Sequence, residues 1–132
     1  MSFEPTRPGE RAGLLVFGTD YAWIGVEHTP AGRAVVVKTC LGAREGGEER
    51  VFAALPAPDG PVHLRVEWLP GGFCRFGVSF DGRDFTTFEP VFTARPGRWV
   101  GAKIGVFAAA DAGHSNTSVA DFAWFRVAPL SP

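Results

Sequence analysis

The stretch Gly97-Arg98-Trp99-Val100-Gly101-Ala102-Lys103-Ile104-Gly105-Val106-Phe107 decides how this chain is read. It is answered near the C-terminus by Ala120-Asp121-Phe122-Ala123-Trp124-Phe125-Arg126-Val127. Each reads as a strand. Pro96-Gly97 opens the first as a turn, and Gly101, Ala102 and Gly105 let another segment or layer come close. In the second, Phe122 and Trp124 alternate with Asp121, Ala123 and Phe125, so aromatic rings occupy both faces. Strands apolar on both sides belong in the centre of a doubly covered sheet, and these two are expected as a packed core pair. Trp99, just past the turn, has a second reading as a rim residue that touches a sugar or a partner.

Outward from that pair, the chain reads as short strands and tight turns. Residues 12–18 form an apolar run, and Gly18-Thr19-Asp20 turns it into residues 21–28 as a hairpin. In the latter, Ala22, Ile24 and Val26 share one face, while Tyr21, Trp23 and Glu27 share the other. A Trp beside a carboxylate on an open sheet face could meet a ligand. Residues 34–41 form the next strand, residues 42–50 a charged, glycine-rich solvated loop, and residues 51–55 another strand. The clearest alternation follows, with Val62, Leu64, Val66 and Trp68 facing one way and His63, Arg65 and Glu67 the other. Pro70-Gly71-Gly72 turns the chain, and Cys74, Phe76, Val78 and Phe80 return on the core face. Asp81-Gly82-Arg83-Asp84 is a hairpin turn, since Asp-Gly favours positive φ. Residues 85–88 and 91–94 read as two short strands either side of Pro90. Turn signals recur at the spacing of a sandwich or barrel, and no convincing helix intervenes. The expectation is an all-β fold, an antiparallel two-sheet β-sandwich, as a single domain over residues 1–132.

Composition agrees. Twelve Phe and four Trp favour a pleated, half-buried surface, and 45% hydrophobic residues suffice for a core without disulfide or metal. A net charge of −1 with no basic run argues against nucleic acid. No apolar run approaches the ~20 residues of a membrane span, and residues 1–8 carry no signal-peptide pattern, so the cytoplasm is the expected location. Cys40 and Cys74 stand 34 positions apart with no zinc-ligand pattern nearby, and are expected as buried free thiols.

Little in the sequence carries catalysis. His28, His63 and His114 are scattered, the serines lie outside any nucleophile elbow, and no glycine loop precedes a helix. A glycosidase needs two facing carboxylates, and spacing alone does not bring Glu27 and Glu67 together. Asp111 and Asp121 could join backbone carbonyls around a structural calcium, although no spacing demands it. Otherwise no cofactor is expected.

Several motifs occur in an order that resembles a known domain. They are Ala12-Gly13-Leu14-Leu15-Val16-Phe17-Gly18 with Thr19-Asp20-Tyr21-Ala22-Trp23, then Ser79-Phe80-Asp81-Gly82, then residues 97–105, and finally Ala120-Asp121-Phe122-Ala123-Trp124-Phe125. The chain resembles the C-terminal concanavalin A-like β-sandwich of glycoside hydrolase family 43, of the β-xylosidase and α-L-arabinofuranosidase type, from about Phe3 to Val127. The resemblance implies a jelly-roll sandwich. It also implies that the catalytic carboxylates belong to a separate propeller domain, and that this chain is not catalytic alone. In some members a sandwich loop places an aromatic ring at the mouth of the propeller's active site, and Trp99 is the candidate here. Where the family often has a second Asp in its last motif, this chain has Ala123. The family domain also usually starts earlier, with further strands. An open edge or apolar face is then expected, with association to another chain or a homo-oligomer.

Three readings follow. The first is an accessory domain of a family 43 enzyme of hemicellulose (xylan) breakdown, packed on a catalytic propeller and helping to shape its site. The second is a stand-alone lectin-like module that binds xylo-oligosaccharide through Tyr21 and Trp23, with Glu27 or Arg65 nearby. The third, a small enzyme, requires two convergent acids with perturbed pKa values.

Overall fold

The structure, a computed structural model, describes residues 1–97, 101–113 and 118–130. Within these residues ten strands follow one another: β1 (Ser2–Phe3), β2 (Arg11–Phe17), β3 (Tyr21–Thr29), β4 (Gly32–Cys40), β5 (Glu49–Pro56), β6 (His63–Leu69), β7 (Phe73–Ser79), β8 (Thr86–Thr93), β9 (Lys103–Ala109) and β10 (Ala120–Asp121). A 3-10 turn, Ala43–Glu45, interrupts them. The strands form a five-stranded sheet in the order β5-β4-β3-β2-β9, a three-stranded sheet β6-β7-β8, and the short ribbon β1-β10. Every pairing is antiparallel.

The core lies between the two larger sheets. Ala12, Leu14, Val16, Ala22, Ile24, Val26, Val35 and Val37 come from the five-stranded sheet, and Cys74, Phe76, Val78 and Phe92 from the other. The alternation of period two places these side chains on one face of each strand. Leu64 and Val66 pack on the same core and are partly buried. Cys40 and Cys74 are free and buried, as expected. Burial pushes the Cys74 thiol up to about 11.

Three expectations are corrected. The opening pair is not central. Among the described residues β9 sits at the edge of its sheet, bonded to β2 alone, and Ile104 and Val106 are 38% and 45% exposed. Its expected companion forms only the two-residue β10, which pairs with β1, and Trp124, Phe125 and Val127 are exposed. The central strand is β3, whose residues 22–27 are all buried. A near-continuous apolar run marks a covered strand, and β3 has neighbours on both edges, whereas β9 lacks one. Second, Phe80 lies beyond the end of β7 and is exposed, because the chain has already entered its turn. Third, residues 86–93 make one strand through Pro90 rather than two. β8 is an edge strand, and its pairing slips between Arg75 and Gly77, so Pro90 falls where the ladder is already interrupted.

Two local features fix the strands in place. Gly13 and Gly25 face each other across β2 and β3. A Cβ on Gly25 would stand 2.2 Å from the Ala12 carbonyl oxygen, and one on Gly13 would stand 2.0 Å from that of Ile24. The β7–β8 turn is organised by Asp81. Its Oδ1 accepts from the Arg83 N–H at 2.8 Å, the Asp84 N–H at 2.9 Å and the Ser79 hydroxyl at 2.9 Å. These donors, Arg83 first, hold the Asp81 carboxyl at about 2 instead of 3.8.

Gly25→Ala is therefore expected to cost about 3 kcal/mol in urea unfolding, since the clash is with backbone. Gly105→Ala, which meets open space, serves as the near-neutral control. The depressed pKa of Asp81 makes its contribution to stability complete above about pH 4 and lost as pH falls toward about 2. Unfolding curves across that window should decline less steeply in Asp81→Ala than in the wild type.

Candidate functional site

The face of the five-stranded sheet turned away from the core carries a cluster built from three adjacent strands. β3 contributes Tyr21, Trp23 and Glu27, β4 contributes Lys38, and β5 contributes Glu49. Register explains the grouping, because Trp23 pairs with Lys38 and Tyr21 with Cys40, which in turn pairs with Glu49. Lys38 Nζ lies 2.8 Å from Glu27 Oε1 and 3.7 Å from Glu49 Oε1. Glu49 Oε2 accepts from the Tyr21 hydroxyl at 2.7 Å and from Trp23 Nε1 at 3.0 Å. Burial, and then the bond to Glu49, raise the Tyr21 pKa above its ordinary value. On the β9 side, the Phe107 ring meets Trp23 edge-on at 5.2 Å.

This geometry corrects the sequence reading of Trp23. The ring is only 2% exposed, and its one polar atom is already bonded, so it offers no platform for a sugar. Glu27 is buried against Lys38 rather than poised at a surface. Tyr21, half-buried, has its hydroxyl engaged. Arg65 is elsewhere, on the outer face of the three-stranded sheet. There it lies over the Phe85 ring at 4.0 Å and pairs with Glu67 at 3.2 Å. Trp99 lies outside the described residues.

Several other carboxylates of the described residues are also engaged, by arginines or by hydrogen-bond donors. Glu67 is shared by Arg65 and Arg75. Asp20 is gripped by Arg95 through two bonds of 2.5 and 2.7 Å and accepts the Gly42 N–H at 2.8 Å. The Arg95 guanidinium holds the Asp20 carboxyl below its ordinary range. Glu10 is buried, and the Ser118 hydroxyl, then the N–H groups of Arg7 and Thr6, donate to it and lower its pKa. Among the described residues no three His, Cys, Asp or Glu side chains gather as a metal cluster. Asp111 pairs with Arg11 at 3.3 Å, and Asp121 lies on β10 opposite Ser2.

A second feature is a groove of about 1380 Å3 between the β6 and β9 edges, also bordered by residues 121–130. Leu64, Val66, Trp68, Ile104, Val106 and Trp124 line it.

Comparison with known proteins gives the architecture its place. A family model described as the β-xylosidase C-terminal concanavalin A-like domain matches residues 1–128. The chain belongs to this family. A β-xylosidase of Formosa agariphila is 27% identical to this β-xylosidase-type C-terminal domain over 119 residues, which cover 90% of the chain and 19% of the relative. A solved family 43 glycoside hydrolase, engineered at its active site to display both endo-xylanase and exo-arabinofuranosidase activity, shares the fold. It superposes with a TM-score of 0.68 at 24% identity, over 81% of this chain and 24% of that one. The chain thus spans about a fifth to a quarter of the relatives' length.

Within this family domain, Glu49, Lys38 and Phe107 are the cluster members that the sequence reading missed. Glu49 falls in what reads as a solvated loop, yet it opens β5. The usable signal was the run Val51-Phe52-Ala53-Ala54-Leu55, which needed only to be extended backwards by two residues.

Lys38→Met removes the only cation on the buried Glu27 among its described contacts. It should destabilise the domain by about 3 kcal/mol, the scale for breaking a buried pair. Lys38→Met with Glu27→Gln should recover much of that loss in the same urea titration.

Proposed function

We propose that this chain works as the accessory β-sandwich of a family 43 glycoside hydrolase of the β-xylosidase type, acting in xylan breakdown. It is not catalytic alone. It packs on a catalytic propeller and helps to shape that domain's active site. The observation that carries the reading is the state of the outer face of the five-stranded sheet. Its carboxylates are locked on Lys38 and its Trp is buried, so it lacks both a poised acid pair and an aromatic sugar platform. What the face does present is apolar. Phe17 and Val51, 47% and 64% exposed, flank the Tyr21–Glu49 cluster. A rigid, internally satisfied cluster with apolar residues at its rim suits contact with another domain, where a polar rim surrounds an apolar anchor. Family membership supplies the partner, a family 43 propeller.

The test uses the chain with the catalytic domain of the Formosa agariphila β-xylosidase from which its own sandwich has been removed. Calorimetry should show saturable binding, weakened at least tenfold by Phe17→Asp or Val51→Asp. The chain alone should release no nitrophenol from a nitrophenyl xyloside. A saturable tryptophan-fluorescence shift with millimolar xylobiose, in the chain alone, would instead establish the carbohydrate-binding reading and remove this one.

A further inference from the structure

Three acidic side chains are buried, Glu10, Asp20 and Glu27, and Glu10 is the most enclosed at 2% exposure. A charge taken out of water needs a counter-charge, from a basic side chain or from a metal ion. Asp20 has Arg95 and Glu27 has Lys38. No arginine or lysine pairs with Glu10 among the described residues, although Arg7 and Arg11 stand near it in the chain. Arg7 is exposed, and Arg11 turns its guanidinium to the Gly9 carbonyl at 2.7 Å and to Asp111 at 3.3 Å. The bonds that Glu10 does receive all fall on one oxygen. Its Oε1 accepts from the Ser118 hydroxyl at 2.7 Å and from the N–H groups of Thr6 and Arg7 at 2.8 and 2.9 Å, with the Thr6 hydroxyl at 3.4 Å. Its Oε2 is shut away from water and has no hydrogen-bond partner among the described residues. A buried acceptor left without a partner costs more than an ordinary hydrogen bond returns.

We propose that Glu10 anchors a calcium ion through Oε2, with the hydroxyls of Ser118 and Thr6 turning lone pairs to the same ion and water completing its shell. The ion supplies the positive charge that Asp20 and Glu27 obtain from side chains. The oxygens stand at a suitable spacing. Glu10 Oε1, Ser118 Oγ and Thr6 Oγ1 form a triangle with sides of 2.7, 3.1 and 3.4 Å. Oxygens that ligate calcium at about 2.3–2.6 Å stand roughly 3 Å from one another. The cluster offers oxygen ligands only, which selects a hard cation over zinc or copper. Calcium accepts an irregular shell, whereas magnesium demands a near-ideal octahedron. One carboxylate with neutral oxygens places the affinity at the weak end of calcium sites, about 0.1–1 mM. The sequence reading set calcium on Asp111 and Asp121, but Arg11 holds the first and the second is exposed on β10. At Glu10 the ion ties residues 6–10 to Ser118, 108 positions from Glu10. It thereby supports the adjoining β1–β10 ribbon, which has two residue pairs of its own. Glu10 precedes β2 at the end opposite Phe17, so the site is separate from the propeller contact and stands independently of it.

Urea unfolding of the chain, stripped with EDTA and then titrated with calcium chloride, tests this. At about 10 mM calcium the folding equilibrium constant should rise about 10- to 100-fold, and the same concentration of magnesium should raise it less. Glu10→Gln keeps an acceptor for the Thr6 and Arg7 N–H groups but removes the charge, and should abolish the calcium response. Ser118→Ala leaves the main-chain bonds to Glu10 in place and should move the titration to higher calcium. Asp121→Asn should leave the response intact. In the wild type, calcium should slow amide hydrogen exchange in residues 2–10 and 118–121 and leave β7 and β8 unchanged, a readout that needs no variant to fold. A wild type whose unfolding is the same with and without calcium overturns the proposal. So does a response that survives Glu10→Gln, or protection confined to other segments, since the ion then binds elsewhere.

Discussion

The structure depends on one imbalance, a five-stranded layer packed against a three-stranded one. Ile24, Val26, Val35 and Val37 find Phe76, Val78, Cys74 and Phe92 directly across the interface, and these side chains form the dry centre. The burial of such side chains is the dominant favourable contribution to folding. The match fails on one side only. Where the smaller sheet ends at β6, the apolar side chains of β9 and of the C-terminal segment remain facing a groove. Core, edge and groove are thus consequences of the same difference in width.

The two outer faces have solved a similar problem differently. Each carries basic and glutamate side chains above an apolar layer, and each has tied them to one another. On the five-stranded sheet, one lysine serves two glutamates while two aromatic donors satisfy the remaining oxygen. On the three-stranded sheet, two arginines share one glutamate. Partly buried charges are tolerated when paired and hydrogen-bonded, and such networks fix the register of the strands that bear them. They also use up the groups that would otherwise be free for acid–base chemistry.

Much of this was legible in the residues. Period-two alternation in residues 62–68, the Asp81-Gly82 turn and the Gly18–Asp20 turn led directly to strands and hairpins that the structure contains. The motif order led to the family. What escaped reading has a common cause. Apolar content on both faces of residues 103–109 and 120–127 says that those segments need cover, not that this chain supplies it. The same logic explains Trp23. Alternation assigns it to the face opposite Ile24, which is correct, but only cross-strand neighbours distant in sequence, Lys38, Glu49 and Phe107, decide that the ring is enclosed. Arg65 and Glu27 could not be separated from sequence either, because the assignment of strands to sheets is a long-range property.

The position of Phe107 has a further consequence. It covers Trp23 from β9, the strand held by a single ladder. Edge strands are the first to open in local fluctuations, well below the free energy of global unfolding. Peeling of β9 would uncover the indole of Trp23 while the rest of the sandwich stays assembled. The chain therefore carries an internal optical gauge of that edge, one that reports its breathing separately from collapse of the core.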